Sequence, residues 1–111
     1  MEFLNKIEIR GIVGRIELQS IGDATYARFS VMTEHAYTTP RNGMVAIDTT
    51  WHDCSRWVKP EEYQTYRSIG KGDTIHLTGR IKNTRYNDEN GHDHIHTSIA
   101  VAEVLSVEHK K

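Results

Sequence analysis

Apolar and polar side chains alternate one by one along most of this chain, and this alternation limits the fold to a structure built from β-strands. The clearest run covers residues 24–36, where Ala27, Phe29, Val31 and Thr33 share one face of the predicted strand. Turn-forming residues separate the runs, and β-branched and aromatic side chains are frequent within them. The sequence therefore predicts an all-β protein.

The first predicted strand, residues 5–20, contains a break in the alternation. Its apolar residues occupy odd positions up to Ile9 and even positions from Ile12 onward, beside Gly11 and Gly14. A change of phase next to glycine indicates a β-bulge or a sharp bend, which is how strands curve to close a small barrel. Two separate strands joined by a loop are the alternative.

Five strands and one short helix are predicted in all. The strands cover residues 5–20, 24–36, 45–57, 74–86 and 94–107. The helix begins at Pro60, has two glutamates in its first turn, and ends before Gly70. In the fourth strand, Ile75, Leu77 and Ile81 are predicted to face the core. Five strands with one helix between strands 3 and 4 predict an OB-fold, a five-stranded Greek-key barrel, although another small β-barrel also fits the pattern.

The length of 111 residues fits one domain over residues 1–111. No apolar stretch approaches the ~20 residues that span a bilayer, and charged residues interrupt the N-terminal segment where a signal peptide would be apolar. A cytoplasmic protein with no membrane contact is therefore expected.

The single cysteine, Cys54, excludes an internal disulfide, and its phase predicts that it is buried and inert.

Two tryptophans indicate a binding surface. Trp51 and Trp57 lie six residues apart on the third strand, so they share a face and stand roughly 20 Å apart. On the fourth strand, the face opposite the core carries Arg80 and Lys82 and ends in Tyr86. Exposed rings beside cations are typical of base stacking and phosphate binding. Taken alone, Trp51 is more often a core or interface residue, whereas the polar and charged neighbours of Trp57 predict that its ring is exposed.

The net charge of −1 counts against nucleic-acid binding, because many such domains are strongly basic. The distribution of charge matters more than its sum. Residues 80–85 contain three cations and no anion, so a basic groove on a neutral protein remains compatible with the composition.

From residue 5 to about residue 105 the chain resembles the bacterial single-stranded DNA-binding protein family. The similar segments, in order, are NKIEIRGIVGRI (5–16), ARFSVMT (27–33), TWH (50–52), GKGD (70–73), TGRI (78–81) and TRYND (84–88). The resemblance implies a homotetrameric OB-fold protein of the nucleoid. Such a protein binds single-stranded DNA without sequence preference during replication, recombination and repair.

The resemblance also implies which side chains bind. Bases are expected to stack on four aromatic residues: Tyr37, Trp51, Trp57 and Tyr86. The cations expected near phosphates, from the resemblance or from their position beside these rings, are Arg56, Lys59, Lys71, Arg80, Lys82 and Arg85. His52 resembles a histidine that packs at the subunit interface.

Two departures from the family pattern matter. Asp53 stands where a cation is common, which weakens the attraction for phosphates locally. The family usually continues into a tail with an acidic tip that recruits other replication proteins. No such segment follows Lys111 in this sequence, so recruitment through a tail is not expected.

Other functional classes have weaker support. His92, His94 and His96 alternate on one strand and could in principle clamp a metal, but a backbone or phosphate contact fits the family better, and no metal site is assigned. Phosphate-cradling loops and zinc-protease motifs are missing, so no enzymatic activity or cofactor is predicted. The alternatives are a dimeric OB-fold primosome accessory protein and a protein-interaction or metal-binding OB domain.

Overall fold

The computed structural model describes residues 2–111, so Met1, the first residue of the predicted domain, lies outside the described residues. The strands are β1 (Ile7–Ile21), β2 (Ala24–Thr38), β3 (Val45–Val58), β4 (Thr74–Asn87) and β5 (Asp93–Glu108). Between β3 and β4, a 3-10 turn (Pro60–Glu62) leads into helix α1 (Tyr63–Ser68). The order is the predicted one. Within residues 2–111, no helix combines the length and apolar character needed to cross a bilayer.

The five strands close into a barrel in the order β1-β2-β3-β5-β4. All neighbouring strands are antiparallel except β3 and β5, which meet in a short parallel contact with Cys54 opposite Ile99. Closure through this contact, with one short helix between β3 and β4, is the OB-fold topology. The predicted fold class is confirmed.

Alternate side chains from every strand fill the barrel. The core consists of Ile9, Val13, Ala27, Phe29, Val31, Cys54, Val58, Tyr66, Ile69, Ile75, Leu77, Ile99 and Val101. Helix α1 adds Tyr66, whose ring meets Phe29 edge-on at a centroid distance of 6.3 Å.

Cys54 is buried, as predicted, and its burial raises the pKa of the thiol to about 12. The reactive thiolate is therefore scarce at neutral pH.

The break in β1 is a bulge within one continuous strand. The register between β1 and β2 shifts between Val13 and Arg15, which leaves Gly14 as the extra residue. The predicted bulge is therefore confirmed, and the two-strand alternative is wrong. The change of phase comes later in the strand than predicted. Odd-numbered residues still face the core at Val13, which is buried, whereas even-numbered Ile12 is 43% exposed.

Two long hairpins, β2–β3 and β4–β5, extend beyond the barrel. The radius of gyration is 16.7 Å, compared with about 13 Å for a compact domain of this length. The predicted shared face of Ile75, Leu77 and Ile81 is confirmed by the register of β4 and β5. Ile81 is nevertheless 46% exposed, because the pairing of β4 with β1 ends at Gly79 and no longer covers it.

Candidate nucleic-acid interface

The outward sides of β2, β3, β5 and β4 form one continuous surface, here called the stacking face. Directly opposed residues on paired strands share a side, and Trp51 opposes Met32, Trp57 opposes Tyr26, and Tyr86 opposes His94. The stacking face is defined as the part of this side that surrounds the three rings, and it comprises Tyr26, Arg28, Ser30, Met32, Trp51, Asp53, Ser55, Trp57, Arg80, Lys82, Thr84, Tyr86, His94, His96, Ser98 and Ala100.

The bulge in β1 positions Trp51. A Cβ atom added to Gly14 would lie within 3.0 Å of the indole, so only glycine lets the ring approach the β1 backbone this closely. The adjoining recess has a volume of about 540 Å³ and is lined by Gly14, Arg15, Ser30, Trp51 and Lys71. More than half of the tryptophan surface is exposed. The structure thus brings together Trp51 and Lys71, both predicted, and adds Arg15.

A groove of about 460 Å³ lies between Trp57 and Tyr86 on the stacking face. The Trp57 ring packs against Tyr26 with centroids 4.7 Å apart, and Tyr86 stacks on His94 at 5.2 Å. Both rings remain more than half exposed. Each ring is therefore supported by a second ring while its remaining surface faces solvent, which reduces the entropy lost when a base stacks on it.

Cations line this groove and the recess beside it. Lys82 lies in the groove, and together with Arg80 it also lines a recess of about 250 Å³ next to Trp57. Arg28 lines the groove as well, although the sequence analysis did not select it. Its even position, two residues after Tyr26, is the sequence signal that could have identified it.

The groove also contains one carboxylate, that of Asp53. The Nε2 atom of His96 lies 3.2 Å from Asp53 Oδ2, which links β3 to β5 across the stacking face. Both side chains are about half exposed.

Arg56 has a structural environment that differs from the predicted one. Its Nε and Nη2 atoms donate to the two carboxylate oxygens of Glu62 at 3.0 and 2.9 Å, and Nη1 donates to the Val101 carbonyl at 2.9 Å. This bidentate pair lowers the pKa of Glu62 and raises that of Arg56. The guanidinium therefore joins the helix segment to the barrel. Arg56 also lines the recess beside Trp57 with Arg80 and Lys82, and its role in DNA binding stays a prediction.

Three other predicted residues lie away from the stacking face. Tyr37 and Arg85 have the opposite phase on their strands, so they project from the other side of the two hairpins. Tyr37 is 41% exposed and stacks on His35 with centroids 6.4 Å apart. Lys59 follows β3 and lines a separate recess with Asp23. Their roles in DNA binding stay predictions.

His52, His94 and His96 each contact a neighbouring polar group. His52 is half-buried on the side opposite Trp51, with Nε2 2.8 Å from Thr33 Oγ1.

His94 Nε2 lies 2.7 Å from Asp88 Oδ2, and this contact, with backbone donors of the hairpin turn, lowers the pKa of Asp88. His96 contacts Asp53 instead, so the side chains of His92, His94 and His96 do not meet at one site. Among residues 2–111 no group of three His, Cys, Asp or Glu side chains is placed to hold a metal ion.

Comparison with known proteins gives two findings. The model of the single-strand binding protein family matches residues 4–107. Among solved structures, that of the Plasmodium falciparum SSB complex with ssDNA is similar, with a TM-score of 0.83 and 20% sequence identity. The alignment covers 92% of this chain and 90% of that one. At this level of identity, the structural match establishes a shared fold.

Proposed function

This chain belongs to the single-strand binding protein family, and on that basis we propose that it binds single-stranded DNA across the stacking face, without catalysis. Trp51, Trp57 and Tyr86 share this face, and each is more than half exposed. This shared exposure carries the proposal, because water-facing rings give bases a surface on which to stack. Stacking is worth about 1–3 kcal/mol per base and tolerates any sequence, since every base has a π-face.

The charges near the rings support the same proposal. The groove and the recesses beside Trp51 and Trp57 are lined by one carboxylate, that of Asp53, and by five Lys and Arg side chains besides Arg56, which pairs with Glu62. The cations are Arg15, Arg28, Lys71, Arg80 and Lys82. A chain with a net charge of −1 therefore presents a local basic track, where phosphates bind and release their counterions.

We also propose that the chain works as a homotetramer that protects single-stranded DNA at the nucleoid during replication, recombination and repair. Apolar side chains exposed outside the barrel support assembly into an oligomer. Met44, Val45, Ile47 and Ile95 are each at least 60% exposed on the two hairpins. Exposed apolar groups of this kind commonly mark a protein interface.

The test of the stacking proposal is Trp57→Ala. Removing the indole takes away one stacking surface, and we expect the affinity for poly-dT to fall by at least about tenfold, which corresponds to about 1.4 kcal/mol. Fluorescence anisotropy of a labelled oligo-dT measures the affinity. Circular dichroism checks that the variant remains folded.

A matched control removes an aromatic ring elsewhere. Phe3 is 92% exposed, precedes β1, and lines neither the groove nor the recesses beside Trp51 and Trp57, so Phe3→Ala should leave the affinity unchanged. Equal affinities for wild type and Trp57→Ala would remove Trp57 from the site.

A further inference from the structure

We propose that Asp53 gives the groove between Trp57 and Tyr86 a local preference for bases with an amino group, so that cytosine is favoured over thymine there. The inference rests on the proposed function, because it requires bases to stack in this groove. It adds a specificity-determining residue to an otherwise sequence-tolerant surface.

Asp53 is placed to meet a stacked base. It lies between the two tryptophans on β3, two residues after Trp51 and four before Trp57, with its side chain on their side of the strand. It lines the same groove as Trp57 and Tyr86. Its side chain is 56% exposed, so it can reach the edge of a base whose face rests on one of these rings.

His96 lies beside the carboxylate without using all of its hydrogen-bonding capacity. Its Nε2 is 3.2 Å from Asp53 Oδ2. An ionised carboxylate has about four acceptor positions, and a hydrogen bond from His96 would occupy only one of them. The free positions remain available to a donor from a base.

The two pyrimidines differ in the donors that they offer to this carboxylate. Cytosine carries an N4 amino donor, whereas thymine carries the O4 acceptor at the same ring position. Thymine's own donor, N3–H, lies between the O2 and O4 acceptors, so a carboxylate that approaches it is repelled on both sides. An ionised carboxylate only accepts hydrogen bonds, and it is therefore more complementary to cytosine. Stacking on the rings does not depend on Asp53, so a change in the preference when Asp53 is substituted reports the carboxylate.

The neighbouring cations do not reverse this preference. Arg28 and Lys82 line the same groove. These cations pair more strongly with ionised phosphates than with neutral base oxygens, and the two polymers carry the same phosphates. Ser55 and Ser98 are uncharged hydroxyls that can donate or accept. The Asp53 carboxylate is thus the one group in this lining whose interaction requires a donor from the base.

The experiment compares oligo-dC with oligo-dT of equal length at pH 7.5, for wild type and Asp53→Asn. An amide both donates and accepts, so the variant should no longer discriminate. We expect the ratio of the dC affinity to the dT affinity to fall by about three- to tenfold in Asp53→Asn, the range of one hydrogen bond. The ratio isolates base recognition because loss of a negative charge strengthens the binding of both polymers.

Asp48→Asn is the matched control. Asp48 is exposed on the same strand but has the opposite phase, so the variant makes the same change in charge away from the groove. Its dC to dT ratio should equal that of wild type. Circular dichroism of both variants verifies the fold.

An unchanged ratio in Asp53→Asn, or an equal fall in Asp48→Asn, would overturn the inference. If wild type binds both polymers and Trp57→Ala weakens both, the proposed function stands even when the Asp53 ratio does not move. If wild type binds neither polymer, the proposed function and the inference both fail.

Discussion

At the residue scale, Asp73 shows how one carboxylate ties distant parts of the chain together. It is only 5% exposed and accepts hydrogen bonds from the Gly70 and Lys110 backbone amides at 2.8 and 2.9 Å. His109 Nδ1 is a third partner at 2.9 Å. These contacts, with that from Lys110 the largest, lower the pKa of Asp73 to about 2. The carboxylate thus links the segment after β5 to the turn before β4.

This shift predicts a change in acid stability. Because the pKa of Asp73 is lower in the folded state than the ordinary value near 4, its contribution is fully present above about pH 4. It is lost as the pH falls toward 2. We expect Asp73→Asn to lower the melting temperature at pH 7 and to have a weaker pH dependence than wild type between pH 4 and 2. Circular dichroism melts at pH 7, 4 and 2.5 measure both effects.

Asp23→Asn is the control for this prediction, because Asp23 is exposed in the turn between β1 and β2. Its melting temperatures should follow those of wild type. Parallel losses of stability with pH in Asp73→Asn and wild type would show that the Asp73 contacts do not act as described.

Adjacency in the sequence did not identify which cations lie beside the rings. Arg56 was selected because it adjoins Trp57, yet it has the phase of the buried Cys54 and meets Glu62 from the helix segment. Adjacency along a strand places two side chains on opposite sides. Arg28 and Arg15 were missed because they gain their relevance from rings on other strands.

At the scale of elements, the bulge in β1 couples strand geometry to the binding surface. Gly14 is the extra residue, and the space above it is filled by the Trp51 indole from β3. The same residue therefore helps to close the barrel and leaves room for a ring at the surface.

We predict that Gly14→Ala destabilises the fold and displaces Trp51. The added Cβ would lie within 3.0 Å of the indole, and overpacking of this kind costs about 1–3 kcal/mol. Urea unfolding measures the loss of stability, and the tryptophan emission spectrum reports the displaced ring. The affinity for oligo-dT should also fall.

Gly70→Ala provides the matched control. A Cβ on Gly70 meets nothing closer than Asp73 Oδ2 at 3.8 Å, and an alanine keeps the backbone N–H that donates to Asp73. Its stability should stay within about 0.5 kcal/mol of wild type. Gly14→Ala with the same stability and emission spectrum as wild type would contradict the proposed contact.

At the scale of the whole molecule, the hairpins leave apolar side chains in solvent that a single barrel does not cover. Met44, Val45 and Ile47 lie at the end of β2–β3, and Ile81 and Ile95 lie on β4–β5. Covering them with further copies of the chain would remove this surface from water, which is the main driving force for association.

We therefore predict a mass in solution of about four times the 12.8 kDa of one chain. Light scattering after size-exclusion chromatography measures it, with the protein alone and with oligo-dT. A mass of twice the chain would contradict the homotetramer and favour the alternative of a dimeric primosome accessory protein.

The sequence by itself determined the five strands, their order, the single helix and the exposure of Trp57. These follow from alternation and turn residues, which act over a few positions of the chain. Only the tertiary structure decided that Ile81 lies beyond the barrel, that Arg56 pairs with Glu62, and that His96 meets Asp53. These outcomes depend on where each strand leaves the barrel and on the contact between β3 and β5, which joins segments more than forty residues apart. Local periodicity contains no information about such neighbours.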